Sequence, residues 1–197
     1  MIYDPSQLGT RSPFMLSDGT LQMDINYGWM VMSAGRGQVE SLTVLPDPAN
    51  QLTPFFSGSA GTPDGLFIQV TSQPYDTIFG TVDVEVTLDD RNAVLGQAFA
   101  EVGGNPVLGA EEVTIDGALA VRLEATESLD GSYNSSIVLV DDGQAMTTLR
   151  FTARAADWDT IYKPLIDALV ASIRVNEPAE MAGTIGIQIG QTAPDFT

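Results

Sequence analysis

The stretch WDTIYKPLIDALVASIRV, residues 158–175, decides the fold. Its apolar residues recur at alternating steps of three and one, which places them on one stripe of an α-helix. A stripe this wide and this apolar must pack against another layer of the molecule. The apolar residues of the stripe are Trp158, Ile161, Tyr162, Leu165, Ile166, Leu169, Val170 and Ile173.

The ends of this helix and of a second one carry recognisable signals. Residues 89–102 show a second helical pattern, followed by Gly103–Gly104 as a terminator. We predict Asp157 as the N-cap of the C-terminal helix, and Asp89 or Asp90 as the N-cap of the helix over residues 89–102. Pro164 leaves two alternatives: a kinked continuous helix, or a short turn over 158–162 before a helix with Pro164 near its first position.

Nearly all of the remaining chain reads as antiparallel strand. Residues 111–153 form a meander, because Asp-Gly turns at 116–117, 130–131 and 141–143 separate alternating segments. Such short connections exclude parallel crossovers. The strands predicted upstream cover residues 14–16, 21–25, 30–32, 41–45, 66–71 and 82–88, and the first two form a hairpin. An antiparallel β-sheet meander covered by helices is an α+β sandwich, which is the fold class we predict.

The composition excludes several classes of function. The 197 residues include no cysteine and no histidine, so disulfides, thiolate chemistry and the commonest general base are absent. An enzyme built on this chain would have to use carboxylates, hydroxyls, arginine or Lys163. The net charge of −18 argues against a nucleic-acid partner. This acidity suits solubility, a high-salt habitat or an extracellular one, and composition does not separate the three.

The sequence shows no membrane or export segment. No run approaches the ~20 apolar residues that a membrane helix needs. The polar N-terminus does not resemble a secretory signal, so export would require a signal that was cut away before Met1.

The aromatic residues that periodicity explains least are Tyr27, Trp29, Phe55, Phe56 and Tyr75. The last three form the candidate patch. Phe55 and Phe56 lie in a loop over residues 50–65 that is rich in Pro, Gly and Ser, and Tyr75 follows the next strand. If exposed, they would form a ligand or partner patch; if buried, they would cover the sheet. We favour burial for the two phenylalanines and keep all three as the candidate patch.

Two patterns resemble metal ligands but have simpler explanations. The acidic pairs at 89–90 and 141–142 could hold a hard cation, yet capping of a helix and of a turn explains them. The methionines at 15, 23, 30 and 32 could bind Cu(I), but methionine more commonly fills gaps in a core. We therefore predict no catalytic residue, no metal and no cofactor.

Three short motifs resemble the PsbP-like proteins, which share their fold with the Ran-binding Mog proteins. INYGWMV at 25–31 resembles their Y-x-x-G-W-x-V opening, and IDGALAVR at 115–122 is similar to their I-D-G-x-x-A-x-R hairpin. LVASIRV at 169–175 resembles their closing helix. The resemblance covers residues 14–175 and implies an αβα sandwich around an antiparallel sheet. It also implies a non-catalytic accessory, assembly or binding protein, often exported or lipid-anchored.

The end of the chain resembles a different family. IGQTAPDFT at 189–197 is similar to the V-G-x-x-A-P-D-F-T/S first strand of thioredoxin-like redoxins of the peroxiredoxin and TlpA types. The resemblance implies a longer protein that is cut where a redoxin domain starts. We therefore predict a flexible N-terminal arm (1–13), a PsbP-like domain (14–176), a linker (177–183) and a truncated redoxin-like start (184–197).

These observations lead to one main functional hypothesis and two alternatives. The main hypothesis is an exported or lipid-anchored, non-catalytic domain that stands before a redoxin domain in the same chain and binds or positions a protein partner or small ligand. The first alternative is a carboxylate-based hydrolase with a pocket on the sheet face, whose acids cannot be located because their separation is a tertiary property. The second is a cytosolic assembly or partner-binding factor of halophilic type.

Overall fold

The computed structural model describes residues 11–16, 19–26, 30–33, 40–45, 66–102, 105–126 and 132–176. The α-helices in these ranges are α1 (Tyr75–Phe79), α2 (Leu88–Val102) and α3 (Lys163–Ala171). The strands are β1 (Arg11–Met15), β2 (Leu21–Asn26), β3 (Met30–Ser33), β4 (Glu40–Leu45), β5 (Phe67–Pro74), β6 (Asn105–Ile115), β7 (Ala118–Thr126), β8 (Tyr133–Asp141), β9 (Ala145–Arg154) and β10 (Arg174–Val175).

A seven-stranded sheet of order β3-β4-β5-β9-β8-β7-β6 forms the middle layer. Each neighbouring pair of strands runs antiparallel, so the predicted meander is confirmed. At the β6–β7 turn, Asp116 has φ 50° and Gly117 has φ 86°. A two-residue hairpin turn of this kind needs positive φ at both positions, which is why Asp-Gly occurs there. The predicted turn at 130–131 lies outside the described residues.

A smaller sheet of order β1-β2-β10 lies apart from the large one. The predicted first hairpin is confirmed, with β1 antiparallel to β2 and the Leu16 amide donating to the Leu21 carbonyl at 3.0 Å. One boundary needs correction, because β1 begins at Arg11. Residues 11–13, predicted as part of the flexible arm, find backbone partners in β2. Residues 1–10 lie outside the described part of the chain.

Two hydrophobic cores lie on the two faces of the large sheet. The first core joins that sheet to α3 and to β2 of the small sheet, and it contains the fully buried Ile166 and Leu169. The second core packs Val94 and Leu95 of α2, together with Tyr75 of α1, against the opposite face. Helices therefore cover the antiparallel sheet from both sides, and the predicted α+β sandwich is confirmed.

The strand predicted over 82–88 is wrong. Residues 81–87 form no regular element, although Val84 and Val86 pack against the second core while their neighbours are exposed. The period-2 pattern marks Val84 and Val86 as inward-facing, but Val82 and Leu88, on the same predicted face, are exposed. A strand also needs a neighbouring backbone for its hydrogen bonds, and in the described structure this segment has none.

The predicted N-cap of α2 is also wrong. The helix begins at Leu88, and Thr87 precedes it as the cap. The Asp90 amide donates to Thr87 Oγ1 at 3.2 Å, while the Thr87 amide donates to Asp90 Oδ2 at 2.9 Å. This reciprocal arrangement is a capping box, in which Asp90 occupies the third helical position. The predicted terminator Gly103–Gly104 lies outside the described residues.

The structure combines the two alternatives for Pro164, because a distinct turn precedes α3 but joins it through right-handed helical backbone at Tyr162 and Lys163. A π-helical turn covers Trp158–Tyr162, and α3 then starts at Lys163 with the proline in its first turn. Asp157 makes no side-chain cap hydrogen bond, contrary to its predicted role. No helix in the described part of the chain is long and apolar enough to cross a membrane.

The predicted C-terminal helix ends sooner than its apolar stripe. Ser172 donates its hydroxyl to the Leu169 carbonyl at 2.6 Å and accepts the Asp24 amide at 3.1 Å. These bonds end α3 and direct the chain into β10, which adds to the edge of β2. Ile173 of the stripe is still buried in the first core, but it lies in this connection rather than in a helix.

Candidate functional site

A cleft of about 510 Å³ opens between the β6–β7 hairpin and the C-terminal end of α3. Ile115, Val170 and Ile173 give it apolar walls. Two carboxylates and two guanidinium groups share the same cleft. They belong to Asp116, Arg122, Asp167 and Arg174.

The strand and helix periods explain how these residues meet. Ala120 of β7 lies in the first core, so Arg122 and Glu124, two and four residues later, share the face that α3 covers. On α3, Lys163 and Asp167 are separated by four residues and share a helical face. The two pairs therefore lie opposite each other across the boundary between the sheet and the helix.

Arg122 is the centre of an ion-pair cluster between β7 and α3. Its Nη1 lies 2.8 Å from Asp167 Oδ1, and its Nη2 lies 3.4 Å from Glu124 Oε1. Its Nε donates to Ser136 Oγ of β8 at 3.0 Å. All three guanidinium nitrogens thus have partners, which holds this side chain in one orientation.

Lys163 completes the cluster from the first turn of α3. Its ammonium group donates to both carboxylate oxygens of Glu124, at 2.8 and 2.9 Å. The head group of Lys163 therefore binds the sheet. The lysine side chain is 39% exposed, so this pair is worth at most about 1 kcal/mol.

A second charged group is buried on the other face of the sheet. Asp141, at the end of β8, accepts a hydrogen bond from Arg91 Nε at 2.8 Å and another from the Tyr75 hydroxyl. The Gly143 amide also donates to this carboxylate, at 3.1 Å. The side chains of Arg91 and Asp141 are only 8% and 5% exposed. This group joins α1 and α2 to the turn between β8 and β9.

The candidate aromatic patch is only partly within the described residues. Tyr75 is buried, and its ring packs edge-to-face against Phe79 at a centroid distance of 5.7 Å. Burial raises the pKa of the Tyr75 phenol, and the hydrogen bond to Asp141 raises it further. Tyr75 therefore belongs to the second core. Phe55 and Phe56 lie outside the described part of the chain.

Three of the four acids considered as cation ligands, Asp90, Asp141 and Asp142, have protein partners. Asp90 bonds to Thr87, and these hydrogen bonds lower the pKa of the Asp90 carboxyl. Asp142 Oδ1 accepts the Gln144 and Ala145 amides at 2.8 and 2.7 Å. Among the residues that the structure describes, no three acidic side chains are grouped so that they could hold a metal ion.

The methionines fall partly outside the description. Met23 of β2 is fully buried in the first core, as expected of a core-filling side chain. The side chains at 15, 30 and 32 lie outside the described part.

Sequence reasoning missed the ion-pair cluster and the cleft, although a signal was present. Arg122 and Glu124 alternate on a strand, and Lys163 and Asp167 are spaced by one helical turn. Both spacings predict that the charges share a face. That the two faces meet depends on the packing of α3, which the sequence pattern does not specify.

Comparison with protein-family models and with curated proteins finds no match. Among solved structures, cyanobacterial PsbP (CyanoP) from Synechocystis sp. PCC 6803 is similar with a TM-score of 0.61 at 14% identity, over 88% of this chain and 97% of that one. LpqN, involved in cell envelope biogenesis of Mycobacterium tuberculosis, is similar with a TM-score of 0.50 at 14% identity, over 85% and 91%. A Mog1 mutant has a TM-score of 0.47 at 12% identity, over 84% and 96%. The first two comparisons confirm the PsbP-like fold predicted from the three motifs.

Proposed function

We propose that this domain is a non-catalytic accessory module that binds or positions a partner, and that it is exported and precedes a redoxin domain. One observation carries the proposal: three acidic side chains at the boundaries between layers are tied to cations of the adjacent layer. The pairs are Glu124 with Lys163, Asp167 with Arg122, and Asp141 with Arg91.

These pairs matter because, without histidine or cysteine, carboxylates are the most numerous proton-transfer groups in this chain. A general acid or base must be free to hold and release a proton beside its substrate. A carboxylate that already accepts hydrogen bonds from an arginine or lysine is instead occupied by that partner. The charged residues of the domain therefore suit a rigid scaffold better than a reaction centre.

The similar structures support the accessory and extracytoplasmic parts of the proposal. The fold is that of PsbP and of LpqN, and LpqN is involved in cell envelope biogenesis. The redoxin part is supported by the motif at 189–197, with 177–183 as the linker to that domain. The partner would be a protein or a small ligand held beside the redoxin.

The complete reading frame and its product test this proposal. The protein should be expressed from its whole gene with a C-terminal tag, fractionated, and assayed for thiol–disulfide exchange. We expect a cleaved signal or lipid anchor before Met1, cysteines beyond Thr197, and exchange activity outside the cytoplasm. A cytoplasmic product without downstream cysteines would contradict the proposal and favour the halophilic assembly factor.

A carboxylate-based hydrolase is the second candidate, because Asp116 and Asp167 line the same cleft. Asp116 Oδ2 already accepts the Val175 amide at 3.0 Å, and Asp167 is paired with Arg122. Hydrolysis of chromogenic glycosides that is lost in both Asp116→Asn and Asp167→Asn would establish this function and overturn the accessory role. Activity that survives in both variants would belong to another site or to a contaminant.

A further inference from the structure

We propose that the cleft beside α3 binds a small zwitterion with an aliphatic side chain, either a free amino acid or the ends of a short peptide. This inference deepens the proposed binding role and rests on it. The cleft lies between the turn after β6 and the segment that joins α3 to β10. Its volume of about 510 Å³ falls within the range of small-molecule sites.

The charges of the cleft are balanced, in contrast to those of the whole chain. Asp116 and Asp167 contribute two negative charges, and Arg122 and Arg174 contribute two positive ones. A simple anion would meet carboxylates here, and a simple cation would meet guanidinium groups. A molecule that carries an ammonium and a carboxylate matches both, which is notable on a chain of net charge −18.

Asp116 is placed to receive the ammonium group. Its Oδ2 accepts the Val175 amide at 3.0 Å, which fixes the side chain at the mouth of the cleft. No hydrogen bond to Oδ1 is found within the described ranges. Because one oxygen of the Asp116 carboxylate is already held in place, the side chain loses little entropy when the other oxygen binds a ligand.

Arg174 is placed to receive the carboxylate group. Its Nη1 donates to the carbonyls of Ala171 and Ile173, at 3.2 and 2.9 Å. In the part of the chain that the structure describes, its Nε and Nη2 make no hydrogen bond. A guanidinium anchored through one nitrogen can present the other two to a carboxylate in a bidentate pair.

Val170 and Ala171 are the apolar lining residues with accessible surface, and they would contact the side chain of the ligand. Ile115 and Ile173 are buried in the first core, and Val170 packs against it. Arg122, which also lines the cleft, is fixed by its three partners. The walls are therefore formed before a ligand arrives, as in most small-molecule sites.

Titration of the isotopically labelled chain with L-leucine and with the dipeptide Leu-Leu tests this site. Two-dimensional amide spectra should show saturable shifts at residues 114–116 and 170–175. Leucinamide, N-acetyl-leucine and N-acetyl-leucinamide lack one or both charges and should bind at least about tenfold more weakly. Tighter binding of Leu-Leu than of leucine would identify a peptide terminus as the ligand, and the reverse order would identify a free amino acid.

Three variants and a control complete the experiment. Asp116→Asn keeps an acceptor for the Val175 amide and tolerates positive φ, but it removes the charge. We expect Asp116→Asn and Arg174→Gln each to weaken binding about tenfold or more, and Ala171→Phe, at an exposed position, to abolish binding by filling the cleft. Asp83→Asn, at an exposed position remote in sequence, should leave binding unchanged.

Several outcomes would overturn the inference. The first is the absence of saturable shifts up to about 10 mM of leucine or Leu-Leu. The second is binding of N-acetyl-leucinamide as tight as that of leucine. The third is a folded Asp116→Asn variant that binds leucine as tightly as the unchanged chain. Each would leave the accessory role to be decided by the full-length fractionation and exchange assays.

Discussion

Replacing Asp141 with alanine would leave three donors at the sheet surface without their acceptor. They are the Tyr75 hydroxyl, Arg91 Nε and the Gly143 amide. The arginine is the costly one, because its buried charge would lose its counter-ion. Removing one partner of a buried ion pair typically costs about 3–5 kcal/mol of the free energy of unfolding. That is a large part of the roughly 5–15 kcal/mol available to a domain.

The loss is measurable by urea denaturation followed by far-UV circular dichroism. A chain of this length loses about 2–4 °C of melting temperature per kcal/mol, so Asp141→Ala should melt about 6–20 °C lower. The urea midpoint should fall while the slope m stays unchanged, since the surface exposed on unfolding is the same.

Two comparisons isolate the cause. Asp142→Asn lies in the same turn and keeps acceptors for the Gln144 and Ala145 amides, so it should change the free energy of unfolding by less than about 0.5 kcal/mol. The double variant Asp141→Leu with Arg91→Met removes both charges and should recover much of the loss. A cost below about 1 kcal/mol for Asp141→Ala, or a double variant as unstable as the single one, would refute this reasoning.

Four further predictions concern other parts of the domain. Burial and the bond to Asp141 raise the pKa of the Tyr75 phenol above its ordinary value. The contribution of this tyrosine to the free energy of unfolding is therefore complete below pH ~10 and declines as the pH rises further. Equilibrium unfolding of Tyr75→Phe across that range should lack the decline. Thr87→Ala removes the cap of α2 and should cost about 1 kcal/mol by urea titration, while Thr87→Ser should retain most of it. Leu169→Ala creates a cavity under α3 and should cost about 2–5 kcal/mol, whereas the exposed Ala171→Ser should cost far less in the same assay. Sodium chloride should raise the melting temperature by calorimetry, because it screens the repulsion of a net charge of −18; a flat response would contradict this.

The parts of the fold that local chemistry determines were predictable. Asp116–Gly117 predicts a tight hairpin because those two residue types accept positive φ, and the strands on both sides followed from it. The α3 stripe likewise predicted which residues are buried, since Leu165, Ile166 and Leu169 all face the first core. Pro164 predicted an irregularity near the start of α3 but left its form open, because proline lacks the amide that a helix interior needs.

The errors arose where a pattern depends on distant backbone. Val84 and Val86 alternate as a strand would, yet the segment only packs against the second core. The helix α1 was missed, although Tyr75, Ile78 and Phe79 have helical spacing and Gly80, with φ 74°, ends it. A five-residue helix is shorter than the window over which the period was read. The strand β10 has two residues and exists only because β2 lies beside it.

The candidate site was the least predictable part. The patch that includes Tyr75 was proposed because its aromatic residues fit no helical or strand pattern. That observation does not distinguish an exposed ring from a buried one. The structure places this tyrosine against Asp141. From sequence, the pair of Asp141 and Asp142 was expected only to cap a turn. The cleft combines residues of β6, β7 and α3 with Arg174. Their meeting is a consequence of tertiary packing that no single segment encodes.

The register of β7, β8 and β9 is the most direct test of the account, because it puts Arg122 and Glu124 under α3. Backbone NOEs should connect Arg122 with Val138, and Val138 with Leu149, in one row across the three strands. Contacts shifted by one residue would turn the charged pair to the opposite face and contradict both the ion-pair cluster and the cleft.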